Sequence, residues 1–590
     1  VPSHFSSRLG HRQSEASLTT STVSSPGLCA STSSRARMKK LTTFEGSEVT
    51  LKGAYSTWIL QRGAAVFASS TSGDQTKMAP EVDSIAAFIS HNWSVSRICK
   101  FFVLVLHYNY NFAVGVSVLW VAACVFFTLL GPEPGVTESA FGRPSAWYCR
   151  FTFPSVFFLT LFFAGDLRAL VGIKGSTVFV DKLCICQTDQ DIKRQSVEKL
   201  AAFIKCSQSM LVIYTDVYMQ RVWTIYEVAS FLLTRERERE QQGLSNNMKV
   251  LPVSKAAIRV GIMLYAGFSG YIIILCRIVG LTRGIAVPTI AVVLLYVSSV
   301  RKWWRDAQVM SARLEHFTIR DCECAVEGDR QLVYDNISTL LKATKKVHES
   351  AKEAESLFVF DSLVRRKMPH IFATTRFHFC FMYQEYVMIG FLAFGVQLVD
   401  CVSWLRDEDM SWRPFCVTSV LVVTRMLFLY PAVLMLMEWC ASCNLAWTGC
   451  KQMLWASFCI VVYLPALAWV WYLEGALSQP MQDDDRYLIA GCAAGAVLSL
   501  ASWCVFHIVQ RGWYCPNLSE DWDIEDTPFA FSDDLKSPPQ GDEVLDQQSL
   551  RTTSMQSGME TIYEHKELES QFEENRSIDV EIGYSGLIYC

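Results

Sequence analysis

Thr177-Val-Phe-Val-Asp181, Met210-Leu-Val-Ile-Tyr214 and Lys249-Val-Leu-Pro-Val253 are three short apolar runs separated by two segments of helical spacing. The first segment, 192–206, sets Val197, Leu200, Ala201 and Ile204 on one helical face, and the second runs from Arg221 to Leu233. Strand, helix, strand, helix, strand predicts a parallel sheet with helices on both faces, because parallel neighbours require a crossover. A further strand, Ala86-Ala-Phe-Ile-Ser90-His91-Asn92-Trp93, lies upstream and leads into an amphipathic segment from Ser94.

Around this sheet the chain of 590 residues, 51% of them hydrophobic, gathers its apolar residues into blocks. A helix needs about 20 residues to cross roughly 30 Å of hydrocarbon. Blocks of that length are predicted as spans at 112–130, 149–165, 260–276, 284–300, 378–399, 415–437, 453–473 and 487–509. They form four hairpins. Connections within hairpins are short and carry acids such as Asp407, Glu408 and Asp409, whereas those between hairpins hold Lys193, Arg194, Arg301, Lys302, Arg305, Arg365 and Arg366. The bias of Lys and Arg toward cytoplasmic loops places both termini and the sheet domain in the cytosol of an integral membrane protein.

The chain divides into a disordered Ser/Thr-rich segment 1–80, a first strand and helix 85–98, membrane hairpin 99–172 and the rest of the sheet domain 173–255. A second hairpin 256–300, a cytosolic helical linker 301–372, hairpins 373–437 and 453–510, and an acidic disordered tail 511–590 follow. The overall charge of −4 hides this asymmetry: from Pro516 onward there are 18 acids against 4 bases. Of the first 34 residues 15 are Ser or Thr, and either Val1 or Met38 is expected as the N-terminus. The 21 cysteines are scattered and read as reduced thiols. Cys184-x-Cys186 and Cys322-x-Cys324 have a spacing uncommon for zinc, so no metal is expected. No phosphate-binding glycine loop or nucleic-acid module is present, which excludes nucleic acid as the expected partner.

Two motifs carry a family resemblance. Phe88-Ile89-Ser90 resembles the first box of TIR domains, and Phe179-Val180-Asp181 resembles their second strand. Tyr218-x4-Trp223-Thr224-x2-Glu227-Val228 is similar to the helix motif of plant-type TIR domains, with Thr224 in place of the usual Cys and Val228 in place of Leu. The arrangement also resembles multi-span TIR-like proteins of dinoflagellates. The expected fold is therefore a polytopic α-helical membrane protein of about eight spans with a cytosolic flavodoxin-like α/β domain, split by the first membrane hairpin. Ligands of open α/β sheets bind at the carboxyl ends of the strands. The hairpin leaves the first helix at the opposite edge.

The resemblance implies a membrane-anchored signalling protein acting through a self-associating domain in contact with lipid, with cleavage of NAD as its catalytic form. NAD is then substrate, and no cofactor is implied. Glu227 takes the catalytic position, since breaking the nicotinamide–ribose bond builds positive charge that a carboxylate stabilises. Ser90, His91, Asp181 and Trp223 are the expected NAD-binding residues. The alternative is a channel or transporter that the domain regulates. Within the membrane Glu385 and Arg425 are expected to pair, because an isolated charge in a span costs roughly 2.5–3.5 kcal/mol.

Overall fold

The computed structural model describes residues 36–68, 79–130, 137–138, 144–145, 147–242, 248–278, 286–324, 326–376, 381–405, 412–442 and 485–512, with 451, 454, 455 and 458. Helices dominate these residues, around a five-stranded mixed sheet, and a separate two-stranded ribbon pairs Thr137–Glu138 with Pro144–Ser145. The strands of the larger sheet lie in the order Ala54–Tyr55, Thr177–Phe179, Ile85–His91, Ser207–Tyr214, Met248–Pro252. The last four are mutually parallel, and Ala54–Tyr55 adds an antiparallel edge. Near-continuous apolar runs suit strands covered on both faces. Val178, Phe179, Met210, Leu211, Val212 and Ile213 are accordingly buried.

A helical hairpin lies between the first two parallel strands. Helix Arg97–Tyr108 follows the first parallel strand, and after Asn109 the chain continues as Tyr110–Leu130, returns as Trp147–Leu170 and enters strand Thr177–Phe179. Asn109 is fully buried at the junction, and its side-chain Nδ2 donates to the Leu161 carbonyl at 3.0 Å, satisfying that donor in apolar surroundings. Leu119, Phe126, Phe127, Leu159, Phe163 and Leu167 stay exposed on the two helices, an apolar surface suited to hydrocarbon.

By length and composition, four helices among the described residues can cross a membrane: Tyr110–Leu130, Tyr148–Leu170, Tyr383–Ser403 and Trp412–Ser442. The expected spans 260–276, 284–300 and 487–509 fall within helices Val253–Ile278, Ala286–Glu315 and Asp485–Gly512. The span expected at 453–473, residues 1–35 and the acidic tail beyond 512 lie almost wholly outside the described residues.

Two boundaries need correction. Disorder was expected to residue 80, yet 54–67 form the edge strand, a kinked helix Ser56–Ala64 and a short turn, with Ile59, Leu60 and Phe67 buried. This segment is ordered by docking. A Cβ added at Gly165 would lie 2.9 Å from that of Leu60, so the glycine permits the close approach of Ser56–Ala64 to the second membrane helix. The Arg62 amide also donates to Asp166 at 3.1 Å. Part of the expected linker 301–372 likewise docks on the sheet domain. Glu323 exchanges backbone hydrogen bonds with Gln220 (2.6 Å) and Val222 (3.1 Å) and pairs with Arg221 at 2.9 Å, while helix Glu327–Ala343 packs on helix Val222–Gln242.

The expected Glu385–Arg425 pair is also overturned. Glu385 sits in the first turn of helix Tyr383–Trp404, accepts from the Met382 amide at 2.7 Å and forms an ion pair with Arg259 of helix Val253–Ile278. Arg425 instead donates to Gln397 at 3.0 Å and lies over the Phe394 ring. The reason is side-chain direction: Arg425 reaches along the hairpin to Gln397, away from Glu385, while Arg259 of the neighbouring helix meets Glu385 directly.

Candidate functional site

Successive side chains on a strand point to opposite faces, and the carboxyl end of Ile85–His91 uses both. On one face Ser90, fully buried, joins Tyr218 and Glu227. The Tyr218 and Ser90 hydroxyl oxygens are 2.5 Å apart, and the Ser90 hydroxyl donates to the Glu227 carboxylate. Since Ser90 has one proton and gives it to the carboxylate, Tyr218 is the donor to Ser90. The chain of hydroxyls thus ends on Glu227.

Local structure explains the placement. Tyr218 belongs to a 3-10 turn, Tyr218–Gln220, that follows strand Ser207–Tyr214, and the Thr224 hydroxyl reaches back to its carbonyl at 2.5 Å and to that of Arg221 at 2.9 Å. The threonine standing where the resemblance leads one to expect cysteine therefore fastens the turn to the start of helix Val222–Gln242, which carries Glu227 in its second turn.

Burial pushes the Glu227 carboxyl up to about 8, and the Asp181 carboxylate adds to the effect while the Ser90 hydroxyl works against it. Tyr218 is likewise raised well above its ordinary value by burial and by the neighbouring Glu227. By linkage, the raised Glu227 costs stability as pH climbs from the ordinary carboxylate range toward 8, because over that interval the folded chain holds a proton that the unfolded chain releases.

On the other face His91 packs edge-on to Phe67 and Trp93, with ring centroids 5.1 and 4.7 Å away. The Trp93 indole donates to Asp181 at 2.7 Å. The Lys100 ammonium lies 4.8 Å from the Trp93 ring centroid and 5.5 Å from that of Phe67. Burial drives His91 down to about 4, with Asp181 opposing and Lys100 assisting, and holds Lys100 down at about 8. His91 Nε2, Asn92 Nδ2 and Lys100 Nζ have no hydrogen-bond partner among the described residues.

The expected residues are thus divided. Ser90 meets Glu227, whereas His91 and Asp181 gather across the sheet with Trp93 and Lys100. Trp223 is engaged elsewhere: its indole donates to Asp329 at 3.3 Å and its ring stands edge-on to Tyr226. Two participants escaped the sequence reading. Tyr218 was visible only as an aromatic in the motif, and Lys100 only as a lone charge in the apolar run 98–106. The paired cysteine motifs point to backbone instead: Cys184 lies 3.9 Å from the Val178 carbonyl and Cys322 lies 3.5 Å from that of Met219.

No family model, curated protein or solved structure matches the chain.

Proposed function

We propose that the sheet domain is a TIR-like domain of flavodoxin-like topology, carried by a bundle of about eight spans, and that it signals by hydrolysing NAD at Glu227. One observation carries this: a carboxylate joined through Ser90 to the carboxyl end of the first parallel strand. Support comes from the sheet order. Numbered along the chain, the four parallel strands lie 2-1-3-4, and in such sheets ligands bind at the carboxyl edge where the order reverses, between strands one and three. Ser90 lies on one of those strands and Tyr218 just beyond the other.

Cleavage of the nicotinamide–ribose bond turns a cationic leaving group into neutral nicotinamide and leaves positive charge on the ribose. An ionised Glu227 stabilises that charge, and low-dielectric surroundings strengthen the effect. The hydroxyl chain from Tyr218 fixes the carboxylate's orientation. Self-association of the domain between copies on one membrane would complete the site and make activity responsive to clustering.

The test is nicotinamide release from NAD by the full chain reconstituted at high density in liposomes. With a carboxyl group pushed up to about 8, release should rise about tenfold per pH unit below that value and level off above it, because the ionised fraction does so. A rate flat from pH 6 to 9, or no release, overturns the reading.

The domain and both termini are placed in the cytosol on the loop bias of Lys and Arg. Tags inserted at Lys346 and at Glu408 should be digested and protected, respectively, by protease added to the cytosolic face. The opposite pattern rejects the orientation.

A further inference from the structure

Trp120 donates to Thr152 at 2.8 Å and the Thr128 and Tyr148 hydroxyls meet at 2.5 Å, which sets the antiparallel register of helices Tyr110–Leu130 and Trp147–Leu170. That register brings Cys124, midway between Trp120 and Thr128, opposite Cys149. The Tyr148 hydroxyl donates to the Cys124 carbonyl at 3.1 Å, which sets Cys149, the next residue, beside Cys124 in the seam. Both are buried and both are reduced. We infer that Cys124 and Cys149 form a redox site that a peroxide converts to a disulfide.

The geometry supplies what the reaction needs. A disulfide requires the sulfurs to close to about 2 Å with β-carbons roughly 4 Å apart, and the helix register sets the two cysteines opposite each other for side-chain rotation to close that gap. One sulfur attacks a peroxide oxygen; the O–O bond breaks, water leaves and a sulfenic acid remains. The second sulfur attacks the first, the S–O bond breaks and a second water leaves. Two thiols lose two electrons and two protons, and hydrogen peroxide takes them up as two waters. Burial in the helix seam admits this small neutral oxidant while excluding a tripeptide thiol such as glutathione, so the product is the internal disulfide and not a mixed one.

The next residue gives the site a readout. Arg150 pairs with Asp400 of helix Tyr383–Trp404 at 2.6 Å, so a staple at Cys149 restrains the link between the first hairpin and that helix.

Native membranes holding the full chain would be treated with hydrogen peroxide, denatured with maleimide, digested without reduction and mapped by mass spectrometry. Exposed Cys492 reports that oxidant arrived. The expected result is a peptide linking Cys124 to Cys149 in most of the protein, abolished by dithiothreitol and absent from Cys124→Ser. Maleimide on both sulfurs of the wild type while Cys492 is oxidised overturns the inference. A bond from either cysteine to another partner does so as well.

Discussion

Glu227→Gln should lower nicotinamide release from NAD by a factor on the order of 10² to 10³, the range for removing one electrostatic contact that acts on developing charge. The substitution keeps the shape and an acceptor for the Ser90 hydroxyl, and it removes only the negative charge. Because burial already disfavours that charge, the variant should be no less stable than the wild type at neutral pH and somewhat more stable above pH 8. Glu227→Ala should lose activity equally. Ser90→Ala separates chemistry from positioning. Its hydroxyl donates to the carboxylate and favours ionisation, so its loss should move the pH profile upward and leave activity recoverable at higher pH. Melting temperatures and release rates at matched protein density check each variant. Wild-type release by the folded Gln variant would remove Glu227 from the mechanism.

Much of this site was readable in one dimension. The apolar runs at Thr177, Met210 and Lys249 announced parallel strands because a strand covered on both faces has no polar alternation to confuse it. The spacing from Tyr218 to Glu227 put the carboxylate near the strand ends. What stayed hidden were relations between distant segments. Residues 54–67 carry too little apolar periodicity to declare themselves, and they gain order only against the surface that Gly165 leaves open. Lys100 reads as an ordinary charge until Trp93 and Phe67 close over it. The pleat explains the division of the expected NAD contacts. Ser90 and His91 are neighbours in the chain, and adjacency on a strand means opposite faces.

Arg259 shows the same limit inside the bundle and carries the second large effect. Helix Tyr383–Trp404 is held at both ends by ion pairs, Glu385 with Arg259 and Asp400 with Arg150. Each charge sits near a helix end instead of in mid-span, where its hydration costs least to give up. Glu385 also caps its own helix through the Met382 amide. Arg259 lies in the helix that leaves the last sheet strand directly, Pro252 being followed at once by Val253, so this pair ties the sheet domain to the membrane bundle. Glu385→Gln and Arg259→Gln should each cost about 3 to 5 kcal/mol, because either change strands a buried charge. The double variant should recover a large part of the loss, short of the whole because the cap is weakened. Combining Glu385→Gln with Arg425→Gln should be additive, as expected of groups that share no partner, Glu385 pairing with Arg259 and Arg425 with Gln397. Thermal unfolding of the four variants in one detergent measures the coupling. Additive losses for Glu385 with Arg259, or coupling of Glu385 to Arg425, would refute the clamp and with it the route by which the bundle and the sheet domain hold each other in place.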